Sequence, residues 1–151
     1  MASLDISGLD ELVKALEKAE APEKIAKKAI SEAEKELVKA TRNAVKSALT
    51  NKSASGLVNA MIPTGAKENQ WGVYSVVRPI GKDEHGIDYS QLALWLEYGR
   101  YRKGNQGRKG TLEDAQLQVA HPWRQKAIND SQAACVRIIE DVLEKELNSD
   151  G

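Results

Sequence analysis

Two long stretches of this chain place apolar residues at helical spacing, and the stretch between them follows a shorter period. Ile25, Ala29, Ile30, Ala33, Leu37, Ala40, Thr41, Ala44, Val45, Ala48 and Leu49 share one face of a helix. The opposite face carries Lys and Glu, with pairs such as Glu32–Lys35 and Glu36–Lys39 at separations that bring opposite charges together. Pro22 suits the first turn, where the missing N–H of proline costs nothing. The pattern predicts a helix over 22–50, about 43 Å long at roughly 1.5 Å per residue. A second stripe, Trp123, Ala127, Ile128, Ser131, Cys135, Ile138, Val142 and Leu143, predicts a closing helix over 123–147, again with a proline, Pro122, at its start. A shorter helix over 8–20 precedes both. It carries Leu9, Leu12, Val13 and Leu16 behind Ser7-Gly8-Leu9-Asp10, which has the spacing of a capping box.

Between the long helices, Trp71 to Ile80 alternates and is rich in β-branched and aromatic residues, which predicts a strand over 71–80. Trp71, Val73, Ser75 and Val77 take one side and Tyr74, Val76 and Ile80 the other, so both faces are expected to be covered. Pro79 ends the strand or marks a sheet edge. Ahead of it, Ser53 or Ser55 offers a cap for a short segment burying Leu57, Val58 and Met61, and Pro63-Thr64-Gly65 signals a turn. Behind it come a polar loop over 81–86 and a short helix over 90–98 that is apolar nearly all round, with Leu92, Leu94, Trp95 and Leu96. Such a helix is buried or lies against another chain. Gly99 stops it, and a basic, flexible loop follows over 100–111. The expected architecture is α+β, a single domain over 1–151. Its long N-terminal and C-terminal amphipathic helices form a hairpin packed on a small antiparallel β-sheet.

Composition sharpens this picture in three ways. A chain of 151 residues can bury roughly 70% of its unfolded surface, yet it has no Phe and relies on Ala, so its helices pack closely with little area per contact. Lys plus Arg equals Asp plus Glu, 22 each, so any electrostatic function comes from local clustering rather than a global field. Cys135 is the only cysteine, which rules out an intrachain disulfide and fits a reducing compartment. No export signal and no membrane span are expected.

Candidate chemistry is sparse. His85 and His121 sit in no metal-ligand spacing, and His121 beside Pro122 reads as a loop-to-helix junction. Cys135, on an apolar stripe with no basic neighbour in sequence, reads as a buried structural thiol. No nucleophile elbow, phosphate-binding loop or dinucleotide fingerprint is present. Asp83-Glu84 and Glu113-Asp114 are acidic pairs of the kind that decorate loops. An enzyme is not expected, and no metal or cofactor is implied. The basic loop is the sharper feature. Arg100, Arg102, Lys103, Arg108 and Lys109, with Tyr101 among them, could meet phosphates and stack on a base, or could contact an acidic protein surface.

The order of segments then carries a resemblance. SGLDELVKAL is followed by a long Ala/Lys-rich helix, SASGLVNAM, a strand, WLEYG, a glycine-rich basic loop, HPW and a closing amphipathic helix. Over residues 5–147 this resembles the Z-like tail-completion, or minor tail, proteins of long-tailed double-stranded DNA bacteriophages. The family's LEYG-type motif stands here as Leu96-Glu97-Tyr98-Gly99, with Arg100 in place of the usual Thr. Its proline–aromatic–Arg-Pro-Ala motif stands as Pro122-Trp123-Arg124-Gln125-Lys126-Ala127, keeping the Arg but not the second proline. The loop from Arg102 to Val119 is longer than the family pattern.

The resemblance implies a structural virion protein, assembled in the host bacterial cytoplasm and carried in the virion neck. It would complete the tail and join it to the head as a homo-oligomeric ring, hexameric by analogy with the tail, around the DNA channel. Partners would be the stopper or connector, the tail terminator and the tail tube, with nonspecific DNA contact and no membrane. Trp95, Leu96, Glu97, Tyr98, Gly99, Pro122 and Trp123 would shape the subunit or partner interface, with Trp95 and Leu96 expected to be exposed. The basic loop would meet DNA or a partner. A tail terminator capping the tube is the related alternative, and a sequence-nonspecific DNA-binding accessory protein is the alternative of another class.

Overall fold

The computed structural model describes residues 10–49, 55–101, 116–118 and 120–149. The chain is mixed helix and strand. Five helices occur among these residues: α1 Asp10–Glu17, α2 Pro22–Ala48, α3 Gly56–Ala60, α4 Tyr89–Tyr98 and α5 Arg124–Ser149. The strands are short: β1 Met61–Pro63, β2 Lys67–Asn69, β3 Gly72–Tyr74, β4 Val77–Pro79, β5 Arg100–Tyr101 and β6 Gln116–Gln118. They form three two-stranded ribbons, β1–β4, β2–β3 and β5–β6. By internal contacts the chain divides into two compact units. One comprises the chain up to Ala40 with Pro63–Val77 and Ile128 onward, the other Thr41–Ile62 with Arg78–Ala127.

In the first unit α2 and α5 pack antiparallel. The Lys28 ammonium bonds the Glu146 carboxylate at one end of the contact, and the Cys135 thiol lies 3.4 Å from the Ala33 carbonyl oxygen further along. Ile25, Ala29 and Leu143 are buried between the two helices, and Leu12, Leu16 and Ala19 from the α1 segment close over them with Ile139, Val142 and Leu147. Small side chains allow this close approach: Ala29 and Ala33 are buried on α2, and Ser131 and Cys135 on α5. The helical hairpin expected from the two stripes is therefore present in this unit. The capping-box residues Ser7 to Leu9 lie outside the described residues.

The strand expected over 71–80 is corrected. Gly72 takes φ +136, and the Trp71 N–H donates to the Asn69 side-chain oxygen at 2.8 Å. That turn folds the chain back on itself, so β2 pairs with β3 in the register Lys67↔Tyr74, Glu68↔Val73, Asn69↔Gly72. Trp71 sits at the tip of this hairpin, 85% exposed, instead of on a covered strand face. Past Ser75 the chain joins a different ribbon as β4. The expectation that both faces are covered fails as well. Val73, Ser75 and Val77 are half-buried, while Tyr74, Val76 and Ile80 are exposed. The inner side of this segment meets α2: Lys27 pairs with Glu68 at 3.1 Å, and the Ser75 hydroxyl donates to Glu34.

In the second unit Val45, Leu57 and Met61 are the largest fully buried side chains. The Arg42 guanidinium holds β1 by donating from Nε and Nη2 to the Met61 carbonyl oxygen at 3.2 and 3.0 Å. Ser55 precedes α3 but makes no side-chain cap; its backbone is already helical, and its carbonyl accepts from Val58 instead. Gly56 packs closely against Tyr89: a Cβ there would lie 2.4 Å from the Tyr89 hydroxyl oxygen, so the ring would have to shift to admit one. The polar loop over 81–86 is closed by Asp83, whose Oδ1 accepts from the backbone N–H groups of His85 and Ile87 at 2.9 and 2.8 Å.

Candidate assembly site

The two motifs that carry the resemblance meet in the second unit. α5 has no acidic residue in its own first turn, so its leading N–H groups need an acceptor from elsewhere. Glu97, near the end of α4, supplies it. Its Oε2 accepts from the Trp123 N–H at 2.8 Å and the Arg124 N–H at 3.1 Å. A carboxylate there also complements the positive end of the helix dipole. Trp123 returns the connection through its indole, which donates to the Ala93 carbonyl at 3.2 Å. The His121 N–H donates to the Leu96 carbonyl at 2.7 Å, satisfying a group that the end of α4 leaves open. Gly99 then ends α4 with φ +84, its N–H bonded to the Trp95 carbonyl. His121 thus acts as the junction residue that its position beside Pro122 suggested.

This geometry redistributes the residues expected at an interface. Leu96 is 3% exposed and Trp123 6%, so both are interior side chains of this unit, and the expectation of an exposed Leu96 is corrected. The near-continuous apolar character of α4 is explained by packing within the chain on one side. The helix buries Ala93 and Leu96, keeps Leu92 and Trp95 half-covered, and leaves Leu94 and Tyr98 exposed. Pro122 is exposed and Glu97 and Gly99 are half-buried. Tyr98 is the most open large side chain of the motif, at 62%.

Two guanidiniums coat the aromatic groups. Arg100 lies over the Trp95 ring, 4.1 Å from its centroid, and Arg124 lies 5.9 Å from the Tyr98 centroid and 5.4 Å from that of Trp123. Arg100 therefore does not belong to a loop. It opens β5, which pairs with β6 through Arg100↔Gln118 and Tyr101↔Gln116. Its partner β6 covers Gln116–Gln118. Arg102, Lys103, Arg108, Lys109 and the Glu113-Asp114 pair lie outside the described residues. Ala93 and Arg124 were not singled out from sequence as site residues. The signal for Ala93 was its spacing, one helical turn before Glu97, which puts its carbonyl beside that carboxylate's end of the helix.

The Glu97 carboxylate and the Trp123 indole at this site are engaged with backbone groups, and Arg100 and Arg124 rest on rings. Among the described residues no three His, Cys, Asp or Glu side chains gather to hold a metal ion. No helix among them is long and apolar enough to cross a membrane. Cys135, in the first unit, is buried. Burial, followed by the nearby Glu36 carboxylate, holds its thiol above the ordinary value, against a smaller opposing effect of a hydrogen bond with Ser131. Comparison with protein-family models, curated proteins and solved structures finds no match for this chain.

Proposed function

We propose that this chain is a structural virion protein that completes the tail at the neck of a long-tailed phage, joining tail to head as a homo-oligomeric ring around the DNA channel. The observation that carries the reading is the Glu97 clasp. The Leu96–Gly99 and Pro122–Arg124 motifs, on which the resemblance rests, lie far apart in sequence, yet four hydrogen bonds join α4 to the start of α5 around them. A clasp of this kind has no chemistry to perform. It fixes the angle at which Tyr98, Arg100 and Arg124 are presented at the surface, which is what a subunit or partner interface requires. Tyr98, already expected there, is joined by Arg124 as a contact group of that interface, in place of the buried Leu96 and Trp123.

Electron microscopy of virions bearing a tagged copy of this chain tests the placement. Label at the head–tail junction, as a ring against the connector, agrees with tail completion. Label confined to the end of the tail tube selects the tail-terminator reading, and virions without label refute both.

A further inference from the structure

The first unit carries a groove and a knob that the clasp does not use. The groove, about 300 Å³, opens between α2 and α5. Ile30 and Leu37 of α2 face Ile128 and Ile139 of α5 across it, and Glu34 and Ser75 supply its polar side. Its volume is at the lower end of the range for ligand pockets, roughly 300–1,000 Å³, so it takes one ring system rather than a helix or strand. The knob is Trp71, 85% exposed at the tip of the β2–β3 hairpin. A solvent-facing indole held up by a tight turn is unusual, because burying a Trp removes about 150–250 Å² from water.

The charges match as well. Within the hairpin Glu68 is neutralised by Lys27, whereas Lys67 is exposed and has no ionic partner among the described residues. The groove side is acidic, with the Glu34 carboxylate in its wall and Glu36 close enough to act on Cys135. An indole N–H is a donor only, and the Glu34 carboxylate is an acceptor held in place by the Ser75 hydroxyl.

We infer that Trp71 of one copy seats in the α2–α5 groove of the next. Knob and groove are different surfaces, so the contact is head-to-tail, the kind that closes into a ring when its rotation allows. The occupant of the groove is a second copy of this chain, anchored by the indole and flanked by Lys67 facing the acidic wall. The inference rests on the self-association in the proposed function and names the surface that does it.

The test uses two variants of the full chain. Trp71→Ala removes the knob from a site with nothing to support it in the fold. Gln132→Arg places a longer, charged side chain at the groove, where Gln132 is exposed on α5 and lines the opening. Circular dichroism melting of both is expected to match the wild type. In sedimentation velocity the wild type forms species larger than a pair, and each variant alone associates at least about tenfold more weakly. An equimolar mixture regains association but stops at one pair, since one chain keeps only its groove and the other only its knob. Wild-type-like assembly of either variant, or a mixture that stays single, overturns the contact while leaving the neck role standing. A wild-type chain that stays single at every concentration overturns both.

Discussion

Glu97 shows how one side chain can turn a sequence motif into a structural joint. Read along the chain, it is the acid of a WLEYG segment and invites a role at an interface. In the fold it faces inward and accepts from the first N–H groups of α5. Removing it strips the helix of its N-terminal anion, and Glu97→Ala is expected to lower stability by about 1–2 kcal/mol, read from urea denaturation midpoints. Glu97→Gln, which keeps an acceptor oxygen but loses the charge, is expected to fall between. No change in either variant would show that the helix start is capped by water as well as by Glu97. Cys135 gives a second residue-scale expectation. Its folded pKa lies above the ordinary 9.0, so the unfolded chain releases the proton first as pH rises. The stability linked to the protonated thiol is therefore complete below about pH 9 and lost progressively above it. Stability curves of wild type and Cys135→Ala should run parallel at pH 6–8 and diverge in slope above pH 9. The native thiol should also react with disulfide reagents far more slowly than the denatured one.

At the scale of elements, the two amphipathic stripes were legible because helical period survives any context. Ile25, Ala29, Ala33, Cys135 and Leu143 are buried as the pattern required. The middle of the chain was less legible. The alternation from Trp71 to Ile80 is genuine, but an alternating run reads the same whether it is one strand or two strands folded through a turn. What decides is the Asn69 side chain and the positive φ of Gly72, a local hydrogen bond that periodicity does not register. The apolar look of α4 misled in another way. Leu94, Trp95 and Leu96 cover most of a turn, and only the return of Trp123 onto the Ala93 carbonyl shows which side is interior. The α1–α2–α5 contact provides the element-scale test. Leu143 is buried against Ile25 and Ala29, with Leu12 and Leu16 packed over them. Leu143→Ala is expected to cost about 2–4 kcal/mol and to release α1 first. Hydrogen exchange should then rise most strongly over 10–20. Uniform acceleration across α2 and α5 would mean that α1 is not held by this cluster.

On the scale of the whole molecule, Arg42, Asp83 and Glu97 hold backbone groups of the chain, while several large apolar side chains stay exposed. Among the described residues no buried side-chain nitrogen or oxygen lacks a partner. Trp71, Tyr98, Leu94, Val76 and Ile80 stand at the surface. The LEYG and HPW segments stood out in the sequence and Tyr98, singled out there, is exposed, but Leu96 and Trp123 are buried and Trp71 stands at a hairpin tip within what read as a strand. The central claim is that the chain works by holding head and tail together. Its most direct measurement is the lysate of a phage made without this protein, examined by electron microscopy and plaque count. The expected result is filled heads and finished tails lying apart, with infectivity restored when the protein is supplied. Intact, infectious particles assembled in its absence would contradict the account.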